Sequence, residues 1–142
     1  MSGFVLLALL AAEPTMADGG ASEIEDTAIQ FAQALLASDV EKLTALSPSG
    51  FAFDGRQAWS QADIRAEWTR SLGRRPLTGL KIHGAEVVGY DEMVKRYGAP
   101  PERWSRINLS AARTAIVNLD GRALLVLFRK RGEGWVPLGI TE

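Results

Sequence analysis

Phe31-Ala32-Gln33-Ala34-Leu35-Leu36-Ala37-Ser38-Asp39-Val40-Glu41-Lys42-Leu43 begins as the end of one helix and finishes as the start of another. Upstream of it, Ile24, Ala28, Phe31, Ala32 and Leu35 recur every three or four residues and so share one apolar helical face. Ser22 opens that helix, because its hydroxyl can accept from the amide of Glu25 while the Glu25 carboxylate reaches back. Ser38 with Glu41 repeats the pattern and predicts a short second helix through Val40, Leu43 and Leu46. Ser47-Pro48-Ser49-Gly50 ends it, since proline disfavours the helical conformation of the residue before it.

Downstream, Phe51-Ala52-Phe53 reads as a short strand closed by the turn dipeptide Asp54-Gly55. A third helix is expected from Ser60 to Leu72, capped by Ser60, with Trp59 stapled on Ile64. Ile64, Trp68 and Leu72 form its inner stripe, and Gly73 should close it in a left-handed cap. From Leu77 the period changes. Leu80, Ile82, Val87 and Val88 predict a strand whose alternation slips at a bulge near Gly84. Residues 90–108 interrupt the sheet with a short helix, acids first (Asp91, Glu92) and bases last (Lys95, Arg96), stopped by Gly98. Three strands then follow at about 109–119, 122–130 and 135–141, the first two joined by the hairpin dipeptide Asp120-Gly121. Pro137 cannot donate to a ladder, so the last strand must have a free edge or a bulge there. The expected class is α+β, N-terminal helices packed on a curved antiparallel sheet.

With 142 residues the chain suits one domain, placed at 23–142 with a helical insertion at 90–108. Phe4 to Ala12 is a nine-residue apolar run, of signal-peptide length and too short to cross a bilayer. Thr15-Met16-Ala17 offers a cleavage site, so residues 1–17 are expected to be a signal peptide and 18–22 a flexible link built on Gly19-Gly20. Met1-Ser2-Gly3 lacks the usual basic side chain. The expected location is periplasmic or secreted, and cytoplasmic if that leader does not function. With no cysteine, a lipoprotein anchor, disulfides and thiolate chemistry are excluded, and no membrane anchor is expected. A single histidine excludes a His-rich zinc site, and no metal or cofactor is expected. Residues 1–41 hold seven acids and no Lys or Arg, leaving the rest of the chain at +6. Those basic residues are scattered, with Arg129-Lys130-Arg131 at a hairpin end, so nucleic acid is not an expected partner.

Read in order, the quoted stretch followed by Phe51-Ala52-Phe53-Asp54-Gly55 resembles the opening of nuclear transport factor 2-like (SnoaL-like) proteins: a long helix, an Asp-headed short helix, a strand and a third helix. Leu125-Val126-Leu127-Phe128-Arg129 through Gly134-Trp135-Val136 resembles that family's closing hairpin. The resemblance covers residues 22–89 and 109–142, and residues 90–108 depart from it. It implies a conical pocket between sheet and helices, and a homodimer through the outer face of the sheet. It implies no single chemistry.

Within that frame Asp54 is the candidate general base of an isomerase, cyclase or dehydratase, with His83 assisting. Such a base needs donors for a developing oxyanion. The matching positions, Phe31 and Ala123 or Leu124, have none to offer. An Asp-Gly turn explains Asp54 without catalysis. The expected pocket is instead apolar, drawn from Phe31, Leu35, Phe53, Trp68, His83 and Trp104. Three functions follow. The favoured one is a non-catalytic module binding a small apolar ligand or an envelope protein; the others are the Asp54 enzyme and a dimeric assembly domain.

Overall fold

The computed structural model describes residues 15–74 and 77–141. The apolar run Phe4–Ala12, on which the export expectation rests, lies outside them. Among the described residues four helices, α1 (Thr15–Leu36), α2 (Val40–Leu46), α3 (Gln61–Arg74) and α4 (Tyr90–Tyr97), accompany six strands. These are β1 (Phe51–Phe53), β2 (Arg56–Ala58), β3 (Ile82–Gly89), β4 (Arg113–Leu119), β5 (Arg122–Arg131) and β6 (Gly134–Thr141). They form one sheet in the order β2-β1-β6-β5-β4-β3. It is mixed rather than purely antiparallel, because β1 runs parallel to β6 through Ala52–Gly139 and Phe53–Ile140. β2 escaped sequence reading: only three residues long, it exists because Asp54 and Gly55 both take positive φ, 54° and 93°, as a two-residue hairpin turn requires.

The α1 stripe is buried as its spacing dictates, Ile24, Ala28 and Phe31 completely. It packs on the alternate sheet residues Ala115, Val117, Leu119, Leu124, Val126 and Phe128. Phe31 stacks on Phe51, their ring centroids 5.5 Å apart, and Phe53 meets Trp68 edge to face at 4.8 Å. Those four rings tie α1, α3 and β1 into one core.

Several local expectations need correction. Residues 18–22 are helical, part of α1, and not a flexible link. Glycine costs a helix about 1 kcal/mol, but a Cβ at position 20 would fall 3.2 Å from Trp135 Nε1, so the bare backbone gives α1 its approach to β6. Ser38 does not cap α2. It sits at φ 54° and closes α1, with its amide on Leu35 O and the Asp39 amide on Ala34 O, a Schellman pair. Asp39 is the cap, its carboxylate accepting from the Lys42 amide at 3.0 Å. Ser60 caps α3 as expected, accepting from the Asp63 amide at 3.0 Å. Gly73 stays helical and does not terminate it. Trp59 is no buried staple. It is 62% exposed, its ring against the bare Cα of Gly50.

The bulge expected near Gly84 is present, the β3–β4 register shifting between Ile82 and Gly84 with Gly84 at φ 150°. Pro137 sits inside the sheet, accommodated by a register shift in which Leu127 and Phe128 face Gly139 and Pro137. The extra residue, Leu138, then packs into the layer on the far side of the sheet.

That far side is where the insertion lies. Met93 of α4, Trp104 of a 3-10 turn (Glu102–Trp104), Leu109 and Ala112 bury Ala52, Leu125, Leu127 and Leu138. Thr114, 1% exposed, donates to Met93 Sδ at 3.1 Å. A Cβ on Gly139 would fall 2.8 Å from Ala52 Cβ and 3.0 Å from Trp104 Cη2, so glycine alone lets β1, β6 and the Trp104 ring close up there. The face through which the family resemblance implies dimer pairing thus carries a cover supplied by the chain itself.

Candidate functional site

A cleft of about 1220 Å³ opens between α3, the β1–β2 hairpin and the inner face of the sheet. Its floor is Leu35, Phe53, Trp68, Leu72, Leu77, Leu124 and Ile140. Six of these arrive from α1, α3, β1, β5 and β6, each turning its apolar side inward, and Leu77 comes from the segment that leads into β3. Trp68 is 2% exposed, and its indole N–H is satisfied by Ser47 Oγ at 2.9 Å, which in turn donates to Leu43 O at 2.7 Å. The floor therefore offers a contacting ligand carbon and no free donor from that ring.

The rim is polar and basic. Gln57, Trp59, Ser71, Thr141, Asp54 and four arginines, Arg56, Arg74, Arg103 and Arg106, surround the floor. Arg56 Nη2 pairs with Glu67 at 2.6 Å, and Arg70 holds the other Glu67 oxygen at 2.7 Å. Burial pushes the Glu67 carboxyl up, but the hydrogen bonds and charges of Arg56 and Arg70 outweigh it and hold the carboxyl below its ordinary value.

Asp54 is the corner where the cleft meets the insertion. Arg103 donates from Nε to Oδ2 at 2.9 Å and to the Asp54 carbonyl at 3.0 Å, with Nη2 2.8 Å from Oδ2. Thr141 Oγ1 donates to Oδ1 at 2.8 Å. Partial burial raises the Asp54 pKa, yet these donors and the Arg103 charge outweigh it and leave the group below its ordinary value. Gly55 belongs to the same corner: a Cβ there would fall 2.8 Å from the Arg103 carbonyl oxygen, so the turn must be glycine for the insertion to dock. Both carboxylate oxygens are engaged in a structural contact. With its pKa held down, Asp54 is a weaker base than a free carboxylate.

Of the residues proposed from sequence, Leu35, Phe53 and Trp68 line the cleft and Asp54 stands on its rim. Phe31 is fully buried in the core behind it. His83 is elsewhere, half-exposed at the β3 bulge, with Nε2 against Asp120 Oδ1 of the β4–β5 hairpin, whose other oxygen accepts from the Lys81 amide. The hydrogen bond from His83 and then the Lys81 amide hold Asp120 below its ordinary pKa. Asp54 and His83 are therefore not brought together. Trp104 lies across the sheet, where it lines a smaller groove of about 380 Å³ with Met93, Tyr97, Pro100, Leu125 and Leu127. A tryptophan in a sequence departure has no hydrophobic period to show which face it will cover; here it anchors the insertion to the domain instead of lining the cleft.

Sequence reading missed the arginines. Arg74 follows the helical stripe by two residues, and Arg103 and Arg106 sit in an irregular segment. Nothing in their spacing shows that they converge on one hollow. Among the described residues, no helix is long and apolar enough to cross a membrane, and no three His, Asp or Glu side chains gather as metal ligands would. Compared with known proteins, the chain matches no family model and no curated protein.

Proposed function

We propose that this chain is a non-catalytic binding module, its ligand a small and largely apolar molecule seated in the cleft between α3, the β1–β2 hairpin and the sheet. The single observation that carries this reading is the cleft's floor: seven apolar side chains, six from five elements together with Leu77, line one hollow, with the one polar atom among them, Trp68 Nε1, already bonded to Ser47. Covering about 200 Å² of apolar ligand surface is worth roughly 5 kcal/mol before the cost of immobilising the ligand. That suffices for binding and supplies no chemistry. The engagement of both Asp54 oxygens by Arg103 and Thr141 supports the non-catalytic part.

The order of elements supports a nuclear transport factor 2-like ancestry: a long helix, the Asp39-headed second helix, a strand and third helix, and a final hairpin in which Trp135 follows a glycine turn. Export, which we propose from Phe4–Ala12 and Thr15-Met16-Ala17, would place the module in the periplasm or outside the cell.

The test is a fluorescence titration with N-phenylnaphthylamine, a neutral apolar probe whose emission rises on leaving water. One probe should bind per chain, and Ser71→Trp, which places a large ring in the cleft from half-buried Ser71 on α3, should abolish binding in a chain whose circular dichroism is unchanged. If the probe fails to saturate, or binds Ser71→Trp as well as the parent, the cleft is not a ligand site.

A further inference from the structure

The chain as a whole carries a net charge of −1, yet among the described residues this cleft is lined by four arginines and a single carboxylate, Asp54. Two of the four are neutralised in place, Arg56 by Glu67 and Arg103 by Asp54. Arg74, at the end of α3, and Arg106, beyond the 3-10 turn, make no ion pair among the described residues, and both are exposed where they border the hollow. The excess is local and works against the overall balance. It also comes from two segments far apart in sequence, so it is not one solvated helix face.

We propose that the ligand is an amphiphilic anion: an apolar body on the floor of Leu35, Phe53, Trp68 and Leu124, and one carboxylate, sulfonate or phosphate head met by Arg74 and Arg106. This rests on the binding reading above and specifies its ligand class. Guanidinium is the side chain suited to the task, because its planar fork gives two parallel donors to an oxyanion and sheds water more readily than an ammonium. The satisfied pairs at Arg56 and Arg103 act differently. They hold the hairpin and the insertion in position as the walls of the cleft, and their donors face carboxylates already. The head is therefore assigned to Arg74 and Arg106, the rim arginines that face no carboxylate among the described residues.

A matched pair of probes separates this inference from the reading on which it rests. Anilinonaphthalene sulfonate and N-phenylnaphthylamine share an aromatic body and differ in the anionic head. At low salt the sulfonate should bind the parent chain at least about tenfold more tightly, the value of one charge-assisted hydrogen bond. Raising the salt should shrink that ratio. In Arg74→Gln/Arg106→Gln the ratio should fall to near one. Equal affinities in the parent, or a preference that survives the double substitution, would overturn the anionic class while leaving an apolar site. Failure of both probes to bind would overturn the site itself.

Discussion

Ser47 illustrates how much a single hydroxyl can carry at the base of this cleft. It accepts from Trp68 Nε1 and donates to Leu43 O, linking α2 to α3. Ser47→Ala removes the acceptor and leaves an indole N–H facing apolar neighbours, at 2% exposure of its residue. Urea denaturation should show a loss of about 1–3 kcal/mol; a change under about 0.5 kcal/mol would mean the N–H finds another partner. Asp54 tests a charge in the same way. Its folded pKa lies below its ordinary value, so its contribution is present at neutral pH and is lost as pH falls through the folded value. Half exposed, the Arg103 pair is worth no more than about 1 kcal/mol. Asp54→Asn should therefore destabilise slightly at neutral pH and become indistinguishable from the parent in strong acid, as measured by thermal midpoints across pH. A deficit that persists in acid would assign the loss to packing instead.

At the scale of elements, the junction between α1 and α2 shows what the sequence disclosed and what it hid. The apolar stripe Ile24–Leu35 was legible because helical burial is periodic, and every residue of it is buried. The cap lies one position beyond the expected Ser38. Ser38 and Asp39 both carry a capping oxygen, and what chose between them was the Schellman closure of α1, which forces Ser38 to φ 54°. A left-handed serine carries a cost that glycine avoids. Ser38→Gly should raise stability by about 0.5–1 kcal/mol in a urea titration, less any gain in unfolded-chain entropy; a clear loss would mean that the serine hydroxyl makes a bond that matters. The strands β3 to β6 and the Gly84 bulge were likewise legible, from alternation and turn dipeptides. The route of residues 90–112 was not, since a segment without a period gives no face, and the direction of Trp104 was decided by the bare Cα of Gly139 beneath it. The same limit applies to the site: its aromatic floor could be named from helical and strand spacing, its arginines could not.

For the whole molecule, the sheet separates two environments. One face meets α1 and α3 and holds the large cleft; the other is occupied by α4 and the 3-10 turn over Leu125, Leu127 and Leu138. Asp54, Arg103 and Thr141 form a polar clasp at the cleft rim that ties the insertion to the hairpin. Both faces of the sheet thus carry buried apolar side chains, and the proposed ligand cleft lies on the α3 side. The most direct measurement is an amide chemical-shift titration with N-phenylnaphthylamine on the isotopically labelled protein. Saturable shifts should centre on Gly55, Gln57, Leu72, Leu77 and Leu124, with Met93, Val94 and Tyr97 across the sheet unmoved. Shifts that centre on those three instead, or that never saturate, would contradict a ligand cleft between α3 and the sheet.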